Sequence, residues 1–117
     1  MSVSSLNLIV IRSKDLEKAA RFYSALGLLF STEQHGNGPI HLSAKLEDLV
    51  FELYPATGEV LNSEIRLGFH VDSVSEARDR IVAIGGTVVK DIHASEWGTR
   101  LVVADFDGHR IELLQTN

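Results

Sequence analysis

The chain has 117 residues, 44% hydrophobic and 23% charged, with nine glycines, two prolines and no cysteine. That is the composition of one globular domain whose chain buries roughly two thirds of its unfolded surface, and it excludes disulfide scaffolds, thiolate metal sites and cysteine nucleophiles. Eleven Lys and Arg against sixteen Asp and Glu leave a formal charge of −5, and no dense basic run is present, which argues against nucleic-acid partners. No apolar run approaches the ~20 residues of a membrane span, and Met1 to Asn7 lacks a secretion signal's pattern, so a cytoplasmic protein away from membranes is expected.

In chain order, an apolar strand is predicted over Leu6 to Ile11. A helix follows with Leu16, Ala19, Ala20, Tyr23 and Leu26 on one stripe. Three short strands come next, at Leu28 to Glu33, Ile40 to Ala44 and Leu49 to Tyr54, the first two separated by Gly36-Asn37-Gly38-Pro39. Residues 55–64, with Pro55, Gly58, Asn62 and Ser63, read as a linker. The pattern then repeats: a strand over Ile65 to Val71, a helix with Val74, Ala77, Ile81 and Ile84 on one stripe, and strands at Thr87 to Lys90, Arg100 to Ala104 and Arg110 to Leu114. Ser73-Val74-Ser75-Glu76 predicts a capping box in which the Ser hydroxyl and the Glu carboxylate both satisfy backbone N–H groups, and Gly85-Gly86 predicts the helix stop.

A shift of 58 residues sets Leu16 on Val74, Ala19 on Ala77 and Gly27 on Gly85; a shift of 60 sets Gly38 on Gly98 and Glu52 on Glu112. The chain is therefore an α+β protein built from two βαβββ modules, about 6–54 and about 65–115, within a single domain. On the last strand of each module the acid alternates with the apolar residues. Glu52 opposes Phe51 and Leu53, and Glu112 opposes Ile111 and Leu113, so both glutamates are expected on the face turned away from the helices.

These features, together with Asp15-Leu16, Phe22-Tyr23, Leu26-Gly27-Leu28 and the closing Asp105-Phe106-Asp107-Gly108-His109-Arg110-Ile111-Glu112, resemble the vicinal oxygen chelate superfamily. That group includes glyoxalase I, bleomycin-resistance proteins, fosfomycin-resistance transferases, methylmalonyl-CoA epimerases and extradiol dioxygenases. The resemblance implies a cupped mixed sheet with helices on its convex side, a small-molecule ligand in the cup, and often a divalent metal held by two first-strand and two last-strand residues. Carried onto this sequence, those positions are Leu8, Arg66, Glu52 and Glu112. Leucine has no donor atom and a guanidinium offers no lone pair, so the usual metal centre is not expected and no cofactor is implied, unless His41 supplies a ligand. Phe106 stands where the family commonly has Pro, which leaves the geometry of that turn open.

Two readings stand for Arg66: a salt bridge lying between Glu52 and Glu112, or a fork holding an anionic group of a ligand. His41 alternates with Ile40 and Leu42, and is either a proton shuttle or ligand contact, or a hydrogen-bonded strand histidine. His70 shares a strand face with Gly68 and Arg66, which makes it a further candidate to line the same cavity. His35, His93 and His109 sit in or beside turns and are expected at the surface. Trp97, with Arg100 beyond it, offers an aromatic wall for a planar ligand, or simple loop packing. The expected function is a glyoxalase- or bleomycin-resistance-like small-molecule binder without the family's metal, assembled as a homodimer. The alternative is a lyase, isomerase or dioxygenase-type enzyme with a non-standard centre, for which Glu52, Glu112 and His41 are the catalytic candidates. A third is a diverged scaffold acting through protein contacts.

Overall fold

Both helices begin at a side-chain cap and end at a glycine. In the computed structural model, which describes residues 1–58 and 64–116, the Asp15 side chain accepts from Lys18 N at 3.1 Å and starts α1 (Leu16–Ala25). Ser73 does the same for α2 (Val74–Ala83) through Glu76 N, also at 3.1 Å. Gly27 and Gly85 follow the two C-caps with φ of +100° and +82°, a conformation that residues with a Cβ rarely adopt. The predicted capping box is only half formed. The Glu76 carboxylate pairs with Arg80 one turn on, because a guanidinium at i+4 offers it a charge-assisted bond.

Around α1 stand β1 (Leu8–Ser13), β2 (Phe30–Glu33), β3 (His41–Leu46) and β4 (Leu49–Pro55). Around α2 stand β5 (Arg66–His70), β6 (Thr87–Ser95), β7 (Gly98–Ala104) and β8 (Arg110–Gln115). Each module closes its own four-stranded mixed sheet, in the orders β1-β4-β3-β2 and β5-β8-β7-β6, with the first strand parallel to the last and the other pairs antiparallel. The βαβββ repeat is thus present twice, and the cup is made of two sheets that no described strand pairing joins. The predicted linker 55–64 overlaps the end of β4 and falls in part on residues 59–63, which lie outside the described residues. β6 runs five residues past its predicted end at Lys90. Its register slips between Val88 and Lys90 and again between Lys90 and His93, and these irregularities hide the period-2 alternation in a polar stretch.

The helix-facing sides share one core. Phe22 meets Tyr23 edge-on with centroids 5.0 Å apart, Tyr23 meets Phe51 at 4.9 Å, and Phe51 of the first sheet meets Phe69 of the second at 5.9 Å. Ile81, Leu101, Ile111 and Leu113 complete the core from the second module. Phe106, in place of the family's Pro, leaves the turn intact, with Gly108 N donating to Asp105 O at 3.0 Å, and sets its ring edge-on against Phe22 at 5.9 Å. Neither ten-residue helix is long and apolar enough to cross a membrane.

Candidate functional site

With one face of each sheet buried under its helix, period-2 alternation sends Arg12, His41, Ser43, Glu52 and Tyr54 of module one to the open face. It likewise sends Arg66, Gly68, His70, Arg100, Val102 and Glu112 of module two there. The expected sites for both glutamates are met at the level of the strand face. The two glutamates nevertheless belong to different local networks.

Glu112 is clamped by two guanidiniums. Arg66 Nη1 donates to its Oε1 at 3.2 Å, and Arg100 Nη2 donates to the same oxygen. Arg100 also lies over the Trp97 ring, 5.8 Å from its centroid, in a cation–π arrangement. Two hollows meet at Arg100. One, of about 350 Å³, is lined by Trp97, Arg100, Glu112 and Leu114. The other, of about 300 Å³, is lined by Arg66, Lys90, His93 and Arg100 with Val89 and Val102. The Arg100 Nε–H is buried and has no hydrogen-bond partner among the described residues, so a strong donor remains to be satisfied beside these hollows. His70 stands at the end of the same strand face, exposed, in register with Leu114.

Glu52 faces His41, with its Oε2 3.4 Å from His41 Nε2. The expected bridge from Arg66 to both glutamates is therefore corrected. The acids sit on separate sheets, and the imidazole of module one takes the place next to Glu52 that the arginine was expected to hold. His41 is not an open cavity residue either: its side chain is 1% exposed, covered by the stacked Tyr54 ring (centroids 4.2 Å apart, planes 9° apart) and by His35 at 5.1 Å. The Arg12 guanidinium lies over the Tyr54 ring, 5.3 Å from its centroid. Glu33 and Tyr54 were missed as neighbours of His41, although the signal was present: the Gly36-Asn37-Gly38 turn pairs Glu33 with His41, and alternation puts Tyr54 on the face of Glu52.

His109 overturns a second expectation. It is 9% exposed, folded back onto Asp105, which bonds both its backbone N–H and its ring. Asp105 Oδ2 accepts from Tyr23 Oη at 2.6 Å and pairs with His109 Nδ1 at 2.7 Å, while Oδ1 accepts from the backbone N–H groups of Asp107 and His109. Burial alone would push the Asp105 carboxyl up, but the hydrogen bonds from His109 and Tyr23 and the His109 charge outweigh it and hold it below its ordinary value. The bond to Asp105 raises His109 against the opposing effect of burial. Burial first, then the adjacent Asp105 charge, raises the Tyr23 phenol far above its ordinary range. Asp105, Asp107 and His109 bring ligand atoms within 4.8 Å of one another, but Asp105 already receives four donors, and Asp107 accepts from Lys14 N. This cluster is a staple between the modules.

A divalent metal held by the family's positions does not fit these residues. Leu8 brings no donor atom, Arg66 is a cation, and the Glu112 oxygen nearest to it is already bonded to two guanidiniums.

The family model described as "Glyoxalase-like domain" matches residues 8–114. The chain belongs to the glyoxalase-like domain family. Among solved structures it is similar to TnmS3, an antibiotic binding protein from Streptomyces sp. CB03234, at 25% identity and a TM-score of 0.78 over 100% of this chain and 99% of that one. It is similar in fold to oxidase ChaP-H2, at 21% identity and a TM-score of 0.78 over 99% and 96% of the two chains. A glyoxalase-related enzyme from Fulvimarina pelagi gives 24% identity and a TM-score of 0.74 over 95% of this chain and 87% of that one. No curated protein matches the chain. Glyoxalase-like membership fixes the scaffold of this chain and leaves its chemistry to the residues on the open face.

Proposed function

We propose that this glyoxalase-like protein is a small-molecule binder that works without the family's usual metal centre and takes a planar ligand bearing an anionic group. The observation that carries this reading is the arrangement at Arg100. One guanidinium bonds Glu112, lies over Trp97 and keeps its buried Nε–H unsatisfied, beside hollows that also present Arg66 and Lys90. A carboxylate or phosphate fits a planar fork of this kind, and a flat ring fits against an indole that is 63% exposed. The likeness to TnmS3, an antibiotic binding protein, supports the small-molecule-binder part of this reading.

Trp97 is the chain's only tryptophan, so its emission reports directly on the site. Titration with planar aromatic carboxylates and phosphates is expected to change that emission saturably. Arg100→Leu is expected to weaken the effect at least tenfold. If no member of such a panel perturbs Trp97, or if the arginine variant binds as the parent does, the reading fails.

The enzymatic alternative is favoured by one observation. His41 lies between Glu52 and Glu33, each 3.4 Å from its Nε2, as a general acid or base on a strand face would. Conversion of a bound ligand, abolished by Glu52→Gln, is the result that would place the protein in that class. We further propose a homodimer, supported by the apolar side chains that β1 and its neighbours leave exposed, among them Leu6, Leu8, Val10 and Ile65.

A further inference from the structure

We propose that Glu33, His35 and His41 form a divalent transition-metal site at the β2–β3 end of module one, away from the positions where the superfamily places its metal. The argument starts from the tautomer of His41. Its Nδ1 lies 3.2 Å from the carbonyl of Pro39, which can only accept, so Nδ1 carries the proton. In the neutral ring Nε2 then presents an in-plane lone pair. Glu33 Oε1 and Glu52 Oε2 both lie 3.4 Å from that nitrogen, and two carboxylates so near repel a lone pair. The Tyr54 hydroxyl is equally near, at 3.4 Å, but the tyrosine ring is stacked parallel to the imidazole, so its oxygen lies over the ring plane and not along the lone pair. A buried ring nitrogen beside acids, with the other ring nitrogen fixed on a backbone carbonyl, is the arrangement in which a metal-ligating histidine is held.

His35 and Glu33 complete the donor set. His35 Nε2 is 3.8 Å from Glu33 Oε1, and the ligand atoms of all three residues lie within 4.8 Å of one another. Donors placed about 2.0–2.2 Å from one tetrahedral ion are separated by roughly 3.3–3.6 Å. The distances of 3.4 and 3.8 Å already approach that spacing, so a small closure of the exposed His35 ring completes it. Gln34 Nε2 donates to Gly38 O at 2.9 Å and Gly38 N donates to His35 O at 3.0 Å, bracing the turn that carries His35. Two imidazoles and a carboxylate suit Zn²⁺, Ni²⁺ or Fe²⁺ over Mg²⁺ or Ca²⁺, and leave a position for water or a ligand atom. Glu52 stands next to that position as a fourth oxygen donor or as a partner for the bound water.

The test uses the whole chain, stripped with chelator and titrated with Zn²⁺ by calorimetry and with Co²⁺ by visible absorption. One ion per chain is expected, with the intense absorption of four-coordinate cobalt. His35→Ala and Glu33→Gln are each expected to weaken binding more than the ~10–100-fold that loss of a mere supporting group costs. Both side chains reach solvent, so these variants are expected to fold, which circular dichroism checks. Absence of saturable binding overturns the proposal. So does an ion that survives both substitutions, or one that Glu112→Gln releases. Metal uptake is read independently of Trp97, so this proposal and the ligand reading fail separately.

Discussion

Tyr23 and Asp105, 82 positions apart in the chain, share a 2.6 Å hydrogen bond that ties the helix of the first module to the last turn of the second. Both groups are buried, and the acceptor is a carboxylate that also holds His109. A bond to a charged group in such surroundings is worth about 1.5–3 kcal/mol. Tyr23→Phe keeps the ring contacts with Phe22 and Phe51 and removes only the hydroxyl. We expect a loss of about that size in chemical denaturation; a change of a few tenths would show that the two modules are held by apolar contact alone.

The same staple sets a pH window. His109 is raised in the folded state above its ordinary 6.5, so its contribution is complete below that pH and is lost as pH rises through the folded value. Asp105 is lowered below its ordinary 3.8, so its contribution is present above that pH and is lost as pH falls through the folded value. The ion pair therefore stabilises the fold most between about pH 4 and 6.5, with Tyr23 and Asp107 the other titratable groups acting on it. His109→Gln is expected to flatten the fall in stability above neutral pH. An unchanged alkaline limb in urea midpoints measured against pH would remove His109 from this account.

Gly98 has a φ of +137°, and a Cβ there would come within 2.4 Å of the Gln115 carbonyl oxygen. Both the backbone conformation and the close approach require glycine, because the displaced atom is main chain and cannot swing aside. Gly98→Ala is expected to cost more than about 2 kcal/mol of stability. Gly38→Ala, at the position related by the repeat and without positive φ, is expected to cost less. Equal losses in thermal unfolding would contradict this asymmetry between the modules.

Much of the architecture was legible because local rules carry it. Helix caps at Asp15 and Ser73, glycine stops and the alternation of Glu52 and Glu112 with apolar neighbours all act over a few residues. What the sequence hid depends on which side chains meet across the fold. Arg66 was expected to span Glu52 and Glu112, yet the two acids are carried by sheets that do not pair, so each found its own cation or imidazole. His109 looked like a turn residue at the surface. Its partner Asp105 also takes the Tyr23 hydroxyl, from 86 positions before His109, and such a meeting across the fold is not written in the local sequence. Glu33 became a neighbour of His41 through hairpin register, which the turn sequence implied but composition did not.

The exposed Leu6, Leu8, Val10 and Ile65 form a strip that water contacts in the isolated chain. If a second copy covers it, sedimentation at micromolar concentration gives a dimer, and Val10→Glu shifts the equilibrium to monomer, because a carboxylate buried in an interface must be desolvated. Val10 pairs in register with Glu52 on the open face, so the new charge leaves the shared core untouched. A single monomeric species for the parent protein would leave the strip without that role.

Arg66 and Arg100 bond the same oxygen of Glu112 but sit in different surroundings, and their removal should separate accordingly. The Arg66 side chain is 54% exposed, so its ion pair is screened by solvent and Arg66→Leu is expected to change stability by less than about 1 kcal/mol. The Arg100 side chain is 22% exposed, lies against Trp97 and buries its Nε, so Arg100→Leu removes packing as well as charge and leaves Glu112 with its weaker partner. A loss of about 1–2 kcal/mol is expected there, between the values for surface and for buried pairs. The double variant tests the sharing of one oxygen. If both guanidiniums stabilise the same carboxylate, the second substitution costs more than it does alone, because Glu112 is then left without a cation. Strict additivity in a denaturant cycle would mean that only one of the two contacts persists in solution.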